Sequence, residues 1–414
     1  MHILKYYIYC LGNMRLPIKN KNHTNWNLRD DLVFLNHGSF GATPLVILDE
    51  QRKWQNLMEE DPVSFFEDIL PGAMLNSRKA LAKVLSCNFD DLAFVENATT
   101  GVNIILRSLK FSPGDEILVP NHAYQACRNA IDFVANRYSV KVVTCKIPFP
   151  IHSSDEIIES IMSCVTEKTR LAMIDTVTSP TGLRMPFEKL VPLLESKGVN
   201  VLLDAAHGVG IVPLNLDFLG ASFTTSNCHK WLLSPKGVAF LHVRKDLQKS
   251  INPLVISHGM TSNLQGSSRF RHEFDWTGTR DYSGVCVLPF LLDYLNKIGG
   301  SLENIMNTNQ KLTIYGRNLI CQKLKLEKPC PDEMITSIAT LKLPLKILSD
   351  TEFPNKQDPD PLHTHLLKKY NIQVPVWYWP EPEGRYIRIS AQMYNNEKEY
   401  EYLADSLFEL LNKG

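Results

Sequence analysis

The sequence predicts an α/β fold: a large domain with a mostly parallel sheet flanked by helices, then a smaller α+β C-terminal domain. Two observations carry this. Between residues 116 and 243, short apolar and β-branched runs alternate with stretches of helical period, the pattern of parallel strands covered on both faces. After about Ile251 that rhythm stops, and helices precede short strands instead of alternating with them. A length of 414 residues suffices for a large domain and a small one.

Residues 1–30 read as an N-terminal tail without regular structure. Met1 to Gly12 is apolar but carries Lys5 and is too short to span a membrane, and Lys19 to His23 shows no period. Helical patterning runs from Leu45 to Leu85, opened near Pro44 and broken at Pro62 and Pro71. Strands are expected at Glu116–Val119, Val140–Thr144, Leu171–Thr176, Val199–Leu203, Ser222–Thr225 and Val238–Val243. Helices are expected at Val102–Leu109, Gln125–Arg137, Ser154–Val165 and Phe187–Lys197. Ser257 to Thr279 reads as a loop, after which helical period resumes at Val285–Ile298 and Leu302–Leu324. The remainder mixes strands (Thr336–Leu343, Tyr386–Ile389) with helices (Pro361–Tyr370, Lys398–Leu411), and Glu352–Pro361 reads as a proline-rich surface loop. The expected domains are 31–280, with 31–75 contributing to the substrate site, and 281–414.

Composition excludes some functions. Lys plus Arg equals Asp plus Glu at 44 each, so no net field draws the chain to nucleic acid or to an anionic membrane. The nine Cys show neither CxxC pairs nor zinc-ligand spacing, which argues for reduced thiols, a cytoplasmic protein and no metal centre.

The chemistry concentrates in two strings at predicted strand ends, Asp204-Ala205-Ala206-His207 and Ser226-Asn227-Cys228-His229-Lys230-Trp231. Ligands of open α/β sheets bind beyond the carboxyl ends of the strands, where His122 and Ser179 also fall. An acid and an amine there suggest a pyridoxal 5′-phosphate site, with Lys230 as Schiff-base amine and Asp204 as partner of the pyridinium nitrogen. Trp231, Leu232 and Leu233 give Lys230 partly apolar surroundings, which lower an amine's pKa and favour imine chemistry. Each residue taken singly has a plain alternative: a helix N-cap for Asp204, a solvent-facing loop for His207, an exposed amine for Lys230. Glu96 to Val102 precedes a helical pattern and suits an anion at a helix start, though Thr99 could equally be a simple cap.

Together with further motifs, these strings resemble the fold-type I, class V aminotransferase-like enzymes. Within them the likeness is to isopenicillin N epimerase-like proteins, hercynylcysteine sulfoxide lyases and plant-type cysteine desulfhydrases. It spans about residues 31 to 412. It rests on the strings above and on Phe34-Leu35-Asn36-His37-Gly38-Ser39-Phe40-Gly41, Asn97-Ala98-Thr99-Thr100-Gly101, Asn121-His122-Ala123-Tyr124, Thr178-Ser179-Pro180-Thr181-Gly182, Trp276-Thr277-Gly278-Thr279-Arg280-Asp281 and Arg388-Ile389-Ser390. The resemblance implies that His122 stacks on the cofactor ring, that Ser179 and His207 lie near its phenolic oxygen, and that Ala98, Thr99, Ser226 and His229 hold its phosphate. It implies a homodimer with a shared site, in which Thr279 reaches the neighbouring subunit's cofactor phosphate. Arg388 would grip the carboxylate of an amino-acid substrate in a bidentate fork, while Asn36, His37 and Tyr124 would line the pocket. For Asn36-His37-Gly38 a turn competes with that reading.

One departure bears on the reaction. Cysteine desulfurases of this class carry a nucleophilic Cys shortly before the carboxylate-binding Arg, and here Val374 to Ile387 contains none. The expectation is a carbon–sulfur lyase that eliminates across Cα–Cβ of a cysteine-type or hercynylcysteine-sulfoxide-type substrate, giving pyruvate and ammonia. Tyr124 would protonate the departing sulfur. Trp377, Tyr378 and Trp379 form either an aromatic wall able to hold a cation or ordinary strand packing. The alternatives are an epimerase or aminotransferase, and a silent scaffold, which would be expected to lack Lys230 or Asp204.

Overall fold

The computed structural model describes residues 16–262, 268–344, 360–380 and 383–412. After a short strand β1 (Val33–Phe34), a seven-stranded sheet is built from β2 (Leu92–Val95), β3 (Glu116–Pro120), β4 (Lys141–Cys145), β5 (Thr169–Asp175), β6 (Asn200–Asp204), β7 (Phe223–Asn227) and β8 (Ala239–Val243). Its order is β2-β8-β7-β6-β5-β3-β4. From β7 to β4 all neighbours are parallel, whereas β8 is antiparallel to both β2 and β7. All the strands expected between 116 and 243 are present. Strand β2 was not expected; its run Leu92-Ala93-Phe94-Val95 is wholly buried against β8.

The chain runs from β3 outward to β4 and then returns to the other side of β3 as β5. Such a reversal opens a crevice at the carboxyl ends of the strands. Asp175, Asp204 and Asn227 are the last residues of β5, β6 and β7, and His122 follows β3.

The second unit holds β9 (Ile338–Leu343), β10 (Ile372–Gln373), β11 (Val376–Pro380) and β12 (Glu383–Ser390). Strands β11, β12 and β9 form an antiparallel sheet in that order, packed on helices Leu302–Leu324 and Glu397–Asn412. Strand β10 pairs in parallel with β1. The N-terminal segment is therefore stitched to the C-terminal unit, and it carries Asn36 and His37 across to the crevice.

Three expectations need correction. Residues 16–30 are not a loose tail: Lys21–Asn25 forms a 3-10 turn capped by Asn20, whose side-chain amide donates to Asn395 O at 2.8 Å, and Trp26 is 3% exposed. Docking through Trp26, a Lys19–Glu399 ion pair at 3.3 Å and side-chain-to-backbone bonds leaves no hydrophobic period to read. Residues 1–15, with the apolar start, lie outside the described residues. The Ser257–Thr279 passage contains a helix, Arg269–Asp275, whose Ser268 accepts from Arg271 N–H and whose Phe270 and Phe274 are buried one turn apart. Pro71 does not break the helical path: it stands at a helix start, where no N–H is needed, and a π turn at Phe65–Ile69 joins Pro62–Ser64 to Leu70–Leu85. At Pro62 the break is as expected, the first helix ending at Glu60 with Asp61 out of helical conformation (φ −153, ψ 89). The Glu352–Pro361 loop lies outside the described residues except at its end, where Asp360 caps helix Pro361–Tyr370.

Helix Ala98–Ser108 lies so close to β7 that a Cβ on Gly101 would stand 2.1 Å from Thr225 Oγ1. Gly101→Ala is therefore expected to destabilise the protein by about 1–3 kcal/mol in urea unfolding. Gly72, which has no neighbour within 4 Å of a built Cβ, is the control: Gly72→Ala should stabilise by about 0.5–1 kcal/mol.

Candidate active site

Lys230 is the centre of the crevice. Its Nζ lies 3.2 Å from His207 Nε2, and no carboxylate pairs with it among the described residues. Burial, with the Arg388 charge adding to it, brings its pKa down to about 8. The hydrogen-bond chain fixes the proton positions. Trp231 Nε1–H donates to His207 Nδ1 at 3.0 Å, so a neutral imidazole carries its proton on Nε2, facing the amine. Burial and the neighbouring Lys230 hold His207 neutral, well below its usual range. An Nε2–H can only meet Nζ if the amine offers a lone pair, so the geometry favours the uncharged lysine.

The backbone of Lys230 is held as firmly. His37 Nε2–H donates to Lys230 O at 2.9 Å, and His37 Nδ1 accepts from the Tyr394 hydroxyl at 2.8 Å. Both nitrogens are thereby used, the ring is fully buried, and burial lowers its pKa to about 3. His37 therefore does not present a nitrogen to a substrate; it clamps the lysine loop. The clamp needs close approach: a Cβ on Gly41 (φ +73) would stand 2.3 Å from His229 O.

At the floor, Asp204 Oδ1 accepts from Ala206 N–H at 2.9 Å and Oδ2 accepts from the Cys127 thiol at 3.3 Å. Asp204 is 2% exposed and its pKa is raised, chiefly by burial. Its register partner Asp175 is buried too, with its pKa well up from burial and from the Asp204 charge. Asp175 Oδ2 has no hydrogen-bond partner among the described residues. His122 is fully buried, donates from Nε2 to Ile147 O at 3.1 Å, and accepts at Nδ1 from Thr181 Oγ1 at 2.8 Å. Neutral, with both nitrogens engaged, it is suited to present a flat face and not to transfer protons.

The expected anion-binding residues come together only in part. Asn97 caps helix Ala98–Ser108 by accepting from Thr100 N–H. Ala98 N–H is already taken by Asn227 Oδ1 at 2.8 Å, which leaves Thr99 N–H without a partner among the described residues. Ser226 faces away: its hydroxyl donates to Ala205 O and accepts from Val209 N–H. Successive strand residues point to opposite faces, so Asn227, not Ser226, reaches the helix start from β7. His229 is half-buried and donates from Nδ1 to Val238 O at 2.9 Å. Thr279 is exposed, in a segment tied to the chain's own Glu96 through Arg280 at 3.4 Å.

Arg388, on β12, completes the mouth. Its Nη1 donates to Ser179 O at 2.5 Å and its Nη2 to Ser39 Oγ at 3.1 Å, while Ser39 Oγ donates to Asn36 Oδ1 at 2.5 Å. Asn36 thus supports the arginine from behind. Arg388 is 8% exposed, and burial brings its pKa down to about 10. No acidic residue pairs with it among the described residues. Tyr124, 46% exposed, lines the same cavity as Arg388, Ser179, Trp377 and Trp379.

A family model for aminotransferase class V matches residues 66–344. The chain belongs to the class V aminotransferase family. As a class V aminotransferase-type enzyme it uses pyridoxal phosphate. It is 32% identical over 405 residues to a probable chloroplastic L-cysteine desulfhydrase of Arabidopsis thaliana, covering 93% of this chain and 84% of the relative. It is 29% identical over 388 residues to an isopenicillin N epimerase of Amycolatopsis lactamdurans, covering 91% and 94%. Its fold is that of a cystine C–S lyase solved with cysteine persulfide (TM-score 0.75, 19% identity, 92% and 98% covered). Within this class V site, sequence reasoning missed Asn227, Trp231 and Asp175. Asn227 was legible from strand alternation; Trp231 and Asp175 needed the hydrogen bonds and the β5–β6 register.

The lysine chain is testable in the cofactor-free protein. Acylation of Lys230, followed by mass spectrometry against pH, should show a midpoint near 8. Trp231→Phe frees His207 to move its proton to Nδ1 and accept from a charged amine, so the midpoint should rise; an unchanged or lower midpoint contradicts the chain.

Proposed function

We propose that this enzyme is a pyridoxal-phosphate-dependent carbon–sulfur lyase that cleaves cysteine-type amino acids by β-elimination to pyruvate and ammonia. The observation that carries the reading is a buried amine poised to be uncharged, between a buried acid pair and a buried guanidinium without an acidic partner among the described residues.

The donor set fits the cofactor. An aldehyde needs a neutral amine, which Lys230 supplies; a pyridine nitrogen needs an acid, which Asp204 supplies beside the orphaned Asp175 Oδ2. A phosphate needs N–H donors, and Thr99 offers one at a helix start, where the dipole favours an anion. We assign Asn227 to that end of the site, with His229 at its edge and Thr99 as the principal donor. His122 would supply the flat face, and His207 and Ser179 would stand near the phenolic oxygen. When bound, the cofactor withdraws electrons from the substrate's Cα and so acidifies its proton.

The chain's own residues do the rest. Arg388 binds the substrate carboxylate, since a nearly buried cation without an acidic partner among the described residues gains most from a bidentate anion. Lys230 accepts the Cα proton at Nζ, for which an uncharged amine is required. As that proton leaves, the Cβ–S bond breaks with its electron pair going to sulfur, and Tyr124 delivers a proton to the departing thiolate. The three-carbon remainder takes up water and leaves as pyruvate and ammonia. The mechanism uses no nucleophilic cysteine, consistent with a Val374–Ile387 stretch that has none.

Thr279 is exposed on the surface, which supports a homodimer in which it completes the partner's site. A cytoplasmic location is supported by the eight cysteines among the described residues, all free and several of them buried. Among the described residues, no helix is long and apolar enough to cross a membrane.

Purified protein should carry the cofactor's visible absorption and release pyruvate from S-substituted cysteines; Lys230→Ala should lose both. Arg388→Gln should raise KM at least tenfold, about 1.4 kcal/mol or more of lost binding, with the absorption kept. Tyr124→Phe should slow thiol release without altering cofactor capture. A protein that captures the cofactor yet makes no pyruvate from any such substrate overturns the lyase assignment.

A further inference from the structure

The cavity beside Arg388 measures about 520 Å³, a volume typical of sites for ligands well beyond a small amino acid. Its walls are Tyr124, Trp377 and Trp379, and its lining includes a second cation, Arg128, but no Asp or Glu among the described residues. Arg128 stands on helix Gln125–Tyr138. Its Nη1 donates to Pro120 O at 3.1 Å and its Nη2 meets Thr144 Oγ1 at 3.4 Å. These bonds hold the guanidinium at the carboxyl end of β3. A guanidinium has five N–H donors, and Arg128 has no acidic partner among the described residues. A cavity whose described residues supply two guanidinium groups and no carboxylate attracts a ligand with two anionic groups and repels a cationic tail.

We propose that this cavity is a subsite for an acidic S-substituent, read by Arg128. The substrate is an S-substituted cysteine whose α-carboxylate lies on Arg388 and whose tail ends in a second carboxylate. The apolar middle of the tail packs against Trp377 and Trp379. Substrates with a trimethylammonium or other cationic tail are disfavoured, because Arg128 opposes the cation–π attraction the tryptophans offer. The inference rests on the assignment of Arg388 as the α-carboxylate grip in a cysteine lyase.

The test separates the two. Calorimetric binding to the holoenzyme is measured for three amino acids that carry no leaving group: L-2-aminoadipate, L-norleucine and L-lysine. Aminoadipate should bind about tenfold more tightly than norleucine, with lysine weakest. Arg128→Gln should erase that preference, and Arg128→Lys, which keeps the charge, should retain part of it. Equal binding of the three by the unaltered enzyme overturns the subsite, as does a preference that survives Arg128→Gln. Pyruvate release is followed in parallel with S-carboxymethyl-L-cysteine and S-ethyl-L-cysteine. If the binding preference holds but neither compound yields pyruvate, the subsite stands and the lyase assignment falls. If both yield pyruvate with equal kcat/KM, the lyase stands and the subsite falls.

Discussion

The lysine at the centre of the crevice is buried in a place where its charge is poorly supported. Desolvation and the nearby Arg388 charge both press on the ammonium form, and the imidazole next to it offers a proton instead of a lone pair. Much of the surrounding architecture serves that arrangement. His37 crosses from the N-terminal segment to hold the Lys230 carbonyl, and Tyr394 from the C-terminal unit holds His37. The parallel pairing of β1 with β10 is what ties those two segments together. Loosening any of them would let water reach the amine and restore its ordinary basicity.

Charge is sorted along the crevice. Two carboxyl groups lie at the floor on adjacent strand ends, where burial and mutual repulsion raise both pKa values. Two buried acids this close cannot easily ionise together, so one of the pair is held protonated more readily than an exposed carboxyl, and a basic nitrogen placed there would be offered that proton. The cations Arg388 and Arg128 stand at the mouth, without acidic partners among the described residues. An amino acid entering this field would be drawn in by its carboxylate while its nitrogen approaches the amine. Orientation and proton placement thus come from one electrostatic gradient.

The parallel sheet was legible because each buried strand leaves a β-branched run and each covering helix leaves a 3.6-residue period. Asp204 and Lys230 are legible as chemistry at strand ends, and Arg388 through the resemblance of its motif. Other features were not. The docking of residues 16–30 depends on Asn20 and Trp26 meeting a distant part of the chain, which leaves no local signature. The motif around His37 resembles a pocket; only its two hydrogen bonds reveal a clamp. The resemblance points to Ser226, whereas strand alternation and the Ala98 hydrogen bond put Asn227 at the helix start. Asp175 and Trp231 act through partners far away in sequence, so their contribution appears only with the register and the rings in place.

The central claim is that the proton removed by Lys230 is followed by loss of sulfur from Cβ and not by return of a proton to Cα. Turnover of S-substituted L-cysteines in deuterium oxide, followed by proton NMR, tests this most directly. Elimination predicts pyruvate, ammonia and free thiol in equal amounts. Recovery of Cα-deuterated amino acid of inverted configuration, without pyruvate, would contradict the account and make the enzyme an epimerase.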